Sequence, residues 1–189
     1  MNLIHLKPED YVVSTWSGGT TTQLGIAPQG AVYADRDFMW RVSSATVDLE
    51  VSDFTPLPDY DRLISTLEGE IDLTHNGGAV IHLAPYSVHS FDGGWETHCA
   101  GKCRDFNLMT RKGVCMGRME AVVGPARVNV GGKPHDTAIL YCGMGEVCVQ
   151  AEGQSVTLKQ GEALMVESAE ETVLTISDGG RLILTEAWY

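Results

Sequence analysis

The sequence predicts an all-β chain built as two similar barrels or sandwiches in tandem. Three observations carry that expectation. Residues 67–91 are echoed about 75 residues further on by residues 141–166. Apolar and polar residues alternate with period two over most of the chain, the pattern of half-buried strands. No long stretch carries the apolar spacing of an amphipathic helix, and the best helix candidate is a short one over residues 110–118.

The first copy of the echo reads Leu67-Glu68-Gly69-Glu70-Ile71-Asp72-Leu73, turns at Gly77-Gly78, and runs through Ile81-His82-Leu83-Ala84-Pro85 to Val88-His89-Ser90-Phe91. The second begins Tyr141-Cys142-Gly143-Met144-Gly145-Glu146-Val147, turns at Glu152-Gly153 and ends Ala163-Leu164-Met165-Val166. Each is a glycine-centred hairpin followed by an apolar strand, a tight turn and another strand. Two such units are the plan of a cupin-like repeat. The expected division is a first barrel over residues 1–115 and a smaller second one over 116–189.

Taken in order, residues 3–15 hold an opening strand or two, broken at Pro8-Glu9-Asp10. Trp16-Ser17-Gly18-Gly19-Thr20-Thr21-Thr22 then gives a glycine turn into a β-prone threonine run. In the strand Phe38–Val47, alternation puts Trp40, Val42 and Ser44 on one face and Arg41, Ser43 and Ala45 on the other. A proline-rich connection, Phe54-Thr55-Pro56-Leu57-Pro58, leads into the first repeat. Arg104-Asp105-Phe106-Asn107-Leu108-Met109 is a further strand, with Asp105, Asn107 and Met109 on one side. A last strand, Arg181-Leu182-Ile183-Leu184-Thr185-Glu186, closes the second half.

Composition narrows the partners. Thirteen basic against 25 acidic residues give a net charge of −12, which disfavours nucleic acid and anionic membranes. No apolar run approaches the ~20 residues of a membrane span, and the first residues lack a signal-type pattern. The five cysteines show no zinc-type spacing and read as reduced thiols. A cytoplasmic protein is expected.

The chemistry is defined mostly by what is missing. Six histidines never form the closely spaced pair of a metal-binding cupin, so no metal and no cofactor are expected. No nucleophile elbow, phosphate loop or dinucleotide fingerprint occurs. What remains is a polar set embedded in apolar strands: Arg41, Ser43, Arg62, Glu68, Asp105 and Asn107. Either these face solvent, with Arg41 and Asp105 forming a surface pair, or they turn towards a cavity, where charges must be paired or bound to a ligand.

Several blocks together resemble the HutD/Ves family: Trp16-Ser17-Gly18-Gly19, Trp40-Arg41-Val42-Ser43, Asp61-Arg62, Leu67-Glu68-Gly69, Phe91-Asp92-Gly93 and Asp105-Phe106-Asn107-Leu108-Met109. The match extends over roughly residues 11–115 and departs from the family's commoner Trp-x-Asn-Gly-Gly-Gly loop. The resemblance implies a bicupin with a metal-independent ligand pocket in its first barrel, in a family associated with histidine utilisation. It brings Arg41, Ser43, Arg62, Asp105 and Asn107 to one cavity, with Trp16, Thr20, Thr22 and Phe106 as further walls. Two guanidiniums beside hydroxyl and amide groups suit a small carboxylate.

The leading expectation is a sensor or regulator that binds a small carboxylate metabolite, with histidine degradation as its setting. One alternative is a metal-free isomerase or hydrolase using Glu68, His89 or Asp105 as acid or base. Another is a scaffold acting through protein partners. An exposed sheet edge would also suit a homodimer.

Overall fold

The alternating stretches fold into eighteen strands, with single turns of 3-10 helix at Pro8–Asp10 and Tyr33–Asp35 and no α-helix. In chain order they are β1 (Asn2–Leu6), β2 (Val12–Trp16), β3 (Gly19–Ala27), β4 (Trp40–Val47), β5 (Val51–Phe54) and β6 (Tyr60–Glu68). Then come β7 (Ile71–His75), β8 (Val80–Leu83), β9 (Val88–Asp92), β10 (Thr97–Ala100), β11 (Cys103–Arg111) and β12 (Met116–Val123). The last are β13 (Ala126–Val130), β14 (Thr137–Ala151), β15 (Gln154–Lys159), β16 (Ala163–Glu167), β17 (Thr172–Ile176) and β18 (Gly180–Trp188). This computed structural model describes residues 1–189. The short helix expected over 110–118 is not formed. β11 continues to Arg111, the chain turns with Gly113 at φ +71°, and β12 begins at Met116.

Two compact units result, Val12–Cys115 and Met1–Tyr11 with Met116–Tyr189. The first eleven residues therefore lie with the second half of the chain, and not in a first barrel over 1–115. The reason is β1, which pairs antiparallel with β16 from Asn2↔Glu167 to Leu6↔Ala163.

The unit Val12–Cys115 consists of a six-stranded antiparallel sheet, β2-β3-β4-β11-β6-β9, and a four-stranded one, β5-β10-β7-β8. Ile64, Ile71, Leu73, Leu83, Phe91 and Cys99 form a buried apolar cluster there. Burying a side chain of this size contributes roughly 1.5–3 kcal/mol. β2 and β5 end their sheets, so both keep a free edge. The turn from β2 into β3 needs glycine: at Gly19 a Cβ would stand 1.9 Å from the Thr46 carbonyl oxygen.

In the other unit, β14 is long enough to serve two ladders. Its first half pairs with β16 and β18, and its second with β15 and β17, across an irregularity between Cys142 and Met144. Leu140, Leu158, Leu164, Leu174, Leu182 and Leu184 are among its core residues. Both copies of the sequence echo turn through two residues of positive φ, Asn76-Gly77 (51° and 66°) and Glu152-Gly153 (47° and 78°). In the second copy the pair is the whole loop, since Ala151 pairs with Gln154, and its left-handed conformation matches the twist of a two-residue hairpin. In the first the loop is longer, closing at Thr74↔Val80.

Candidate anion site

Strand register builds the site. Arg41, Ser43 and Ala45 of β4 lie opposite Met109, Asn107 and Asp105 of β11, and Met109 in turn lies opposite Arg62 of β6. On the other side Ala45 pairs with Thr21 of β3, and Thr21 with Ser14 of β2. Residues two apart share a face, so these side chains converge on one surface of the six-stranded sheet. They line a cavity of about 350 Å³ together with Tyr33, Trp16 and the β5 segment from Ser52 to Thr55.

Charge in this cavity is unbalanced. Arg41 and Arg62 are both buried, each 6% exposed. Arg111 and Arg118 are held in ion pairs, whereas neither Arg41 nor Arg62 is. Arg41 Nε donates to Gln23 Oε1 (2.7 Å) and Nη1 to Ser43 Oγ (3.2 Å). Arg62 Nη2 donates to Asn107 Oδ1 (3.0 Å), while its Nε–H is buried with no partner. Both guanidiniums lie over aromatic rings: Arg41 is 4.2 Å from the Tyr33 centroid, and Arg62 is 4.7 Å from Phe54 and 5.2 Å from Phe91. Burial lowers both pKa values, that of Arg62 to about 10, and leaves each group cationic at neutral pH.

Asp105 is the buried acid among them, and its Oδ1 accepts the Ala45 N–H (2.9 Å). Burial pushes its pKa up to about 6, against the pull of the Ala45 N–H, the two arginines and the Asn107 side chain. Asp53, the other acid of the lining, is 83% exposed and held by His98 at 2.8 Å, so two buried guanidiniums face one buried carboxyl and leave free N–H donors. A small anion satisfies both, and a planar carboxylate suits the forked donors.

Of the residues expected at the site, Trp16, Arg41, Ser43, Arg62, Asp105 and Asn107 line the cavity. Thr20, Thr22 and Phe106 do not. Thr21 is the threonine of β3 that lines it, which places its two neighbours on the opposite face of the strand. Phe106 is fully buried on the face of β11 opposite to Asp105 and Asn107. The surface-pair reading of Arg41 and Asp105 also fails, since both are buried. Of the acid–base candidates, Glu68 is exposed and His89 points at His75, so only Asp105 lies in the cavity. Tyr33, Phe54 and Met109 were not foreseen. Met109 was legible, since it shares the parity of Asp105 and Asn107; Tyr33 and Phe54 come from a 3-10 turn and from the other sheet. A second hollow of about 570 Å³ at Phe54, Thr74 and Thr97 has charged residues only at exposed positions, Asp53, Glu96 and His98.

Solved structures share this fold. A conserved protein of unknown function from Pseudomonas aeruginosa PAO1 aligns over 100% of both chains at 26% identity and a TM-score of 0.85. HutD from Pseudomonas fluorescens SBW25, in a formate condition, aligns over 99% of this chain and 98% of its own at 24% identity and a TM-score of 0.81. The pirin YhhW of Escherichia coli, in complex with nickel(II), aligns over 98% of both chains at 8% identity and a TM-score of 0.64. The architecture is thus an all-β, cupin-type sandwich. No curated protein matches the chain in sequence.

A nickel centre like that of the pirin does not fit the residues present. No group of three or more His, Cys, Asp or Glu side chains is disposed to hold a metal ion. The nearest two imidazoles, His75 and His89, spend their facing nitrogens on each other at 2.9 Å. The match that identifies the chain is one of sequence: the HutD family profile fits residues 8–184, and the protein belongs to the HutD family.

Proposed function

We propose that the protein is a bicupin sensor or regulator whose Val12–Cys115 unit binds a small carboxylate metabolite between Arg41 and Arg62. The observation that carries this reading is the pair of buried guanidiniums, neither of them in a salt bridge, which outnumber the one buried carboxyl of the cavity, Asp105. A buried cation is costly unless paired, so a site that retains two is organised for an anion. The cavity of about 350 Å³ suits a compound of metabolite size. The HutD relative solved in a formate condition is compatible with a carboxylate ligand. Membership of the HutD family makes acids of histidine breakdown the first compounds to try.

The test is thermal unfolding of the protein with a panel of small carboxylates and their uncharged amides. A ligand of the native state raises the melting temperature by mass action. The expected result is a rise with one or more carboxylates, none with the matching amides, and no rise in Arg62→Met. Equal responses to acids and amides would overturn the anion site.

Asp105 supports one second reading, a metal-free isomerase or hydrolase. A carboxyl with a pKa near 6 in the cavity can take up or release a proton at neutral pH. Turnover of the bound acid, lost in Asp105→Asn with binding retained, would favour the enzyme over the sensor.

A further inference from the structure

In the Val12–Cys115 unit, two imidazoles meet across the gap between its sheets. His75 ends β7 of the four-stranded sheet, and His89 lies in β9 at the end of the six-stranded one. Their Nε2 atoms are 2.9 Å apart, their centroids 5.1 Å apart and their planes 21° from parallel. The centroid distance is close to the nitrogen distance plus a ring radius at each end. The rings therefore meet edge to edge with the nitrogens head-on, the geometry of a single shared proton.

The neighbours assign that proton. The Thr97 hydroxyl donates to the Trp95 carbonyl (3.3 Å), so its oxygen accepts from His75 Nδ1–H (2.9 Å). With its proton on Nδ1, neutral His75 offers a bare Nε2, and His89 Nε2–H donates to it. The surroundings oppose a further proton. Phe91 of β9 packs on both rings (4.7 and 5.7 Å) and Trp95 on His75 (5.3 Å). The charged group acting on His75 from β6 is Arg62, whose guanidinium lies 5.2 Å from the Phe91 centroid; the inward-facing partner from β10 is the uncharged Thr97.

We propose that the His75–His89 pair is a proton-operated clasp between the two sheets. It is shut while the pair is neutral and stays shut with one added proton, when one imidazolium donates to the bare Nε2 of the other ring. A second added proton makes both rings cationic, so that two N–H groups face each other and the hydrogen bond is lost. Burial holds both imidazoles below their ordinary pKa, with each other's charge and Arg62 acting in the same direction on His75. Below about pH 6.5 the unfolded chain therefore takes up protons that the clasped state refuses, and stability falls with pH.

Imidazole ¹H–¹⁵N spectra of the full, ligand-free chain between pH 8 and pH 5 test the arrangement. At pH 8 the expected forms are Nδ1–H for His75 and Nε2–H for His89, with both resisting protonation to below the ordinary range. Nε2–H on His75, or a His89 titrating like a free imidazole, would overturn the clasp. Melting temperatures over the same range give an independent readout. His89→Gln and His75→Gln each replace one titrating ring with an amide that does not titrate. The acid-induced fall in melting temperature should shrink by several degrees in either variant. A fall of the same size in the wild type and in every variant that folds would also overturn it. Neither measurement depends on a carboxylate binding at Arg41 and Arg62.

Discussion

Asp105 stands directly across the β4–β11 ladder from Ala45 and gives its Oδ1 to the Ala45 N–H rather than to a guanidinium. The buried acid that would be expected to neutralise Arg41 or Arg62 is thus committed to the backbone. Its Ser44 neighbour reinforces the register from the opposite face, donating its hydroxyl to the Asp105 carbonyl at 2.7 Å. Sheet geometry, more than charge pairing, decides which charges are left over in the cavity.

Replacing Arg62 should separate function from stability. In the ligand-free protein its guanidinium makes one side-chain hydrogen bond, and its Nε–H makes none. Arg62→Met keeps an unbranched apolar stem and removes the desolvated charge, together with its contacts over Phe54 and Phe91. Thermal unfolding without ligand should show a melting temperature equal to or above the wild type, as expected where a site carries strain for function. Carboxylate affinity should fall by about ten- to a hundredfold, the scale of a lost charged hydrogen bond of ~1.5–3 kcal/mol. A marked drop in ligand-free stability would make Arg62 a structural residue.

Asp105 predicts a pH dependence of defined sign. Its folded pKa, about 6, lies above the ordinary 3.8, so the native state holds a proton that the unfolded chain has already released. This contribution to stability is present in acid and is lost as pH rises through that window. Asp105→Asn cannot ionise, yet its amide oxygen can still accept from Ala45. The variant should melt several degrees above the wild type at pH 7.5, with the gap closing towards pH 4. A constant gap across the range would contradict the raised pKa.

Much of this site was legible as parity. Alternation along β4 and β11 puts Arg41, Ser43 and Ala45, and then Asp105, Asn107 and Met109, on single faces. Register makes those faces one. The same rule, applied strictly, excludes Phe106, which the expectation groups with its block in the chain instead of by its face. Thr20 and Thr22 do share a face, and only the pairing of Thr21 with Ala45 shows that this face is the one turned away from the cavity. Tyr33 and Phe54 carry no such signal: each reaches the cavity through a contact made only by the fold, over Arg41 and over Arg62. The pairing of Asn2 with Glu167, 165 residues apart, is likewise invisible in local pattern.

Tyr60 ties the turn bearing Tyr33 to the sheet. Its ring is fully buried and stacks on Phe38 at 4.2 Å, and its hydroxyl accepts from Phe38 N–H (3.2 Å) and Arg111 Nη2 (3.1 Å). The hydroxyl proton is offered to the Arg36 carbonyl at 3.0 Å. Tyr60→Phe keeps the stack and strands these partners, at a cost of about 1–3 kcal/mol. For a chain of this size that is a fall of roughly 2–12 °C in melting temperature. No change in a thermal melt would mean that water replaces the hydroxyl without loss.

The unit containing both termini has its own buried acid pair, and its two members should behave oppositely. Glu186 is fully buried and accepts from Gly131 N–H (2.9 Å), Lys133 Nζ (2.9 Å) and Arg118 Nε. Asp136 beside it has an Oδ1 with no partner, and burial, followed by the Glu186 charge, pushes its pKa up to about 6. Glu186→Gln removes the charge that both cations use. Lys133 and Arg118 are more than a third exposed, at 36% and 41%, so water recovers part of the loss and the cost is about 1–2 kcal/mol. Asp136→Asn gives up the ion pair of Oδ2 with Lys133 (3.3 Å) but removes a carboxylate repelled by Glu186, the larger of the two effects, and at pH 7.5 it should leave the melting temperature unchanged or raised. Thermal unfolding of the two variants at that pH distinguishes the roles: equal destabilisation by both would mean that the carboxyls act as one shared unit, with no division between a paired anion and a strained one.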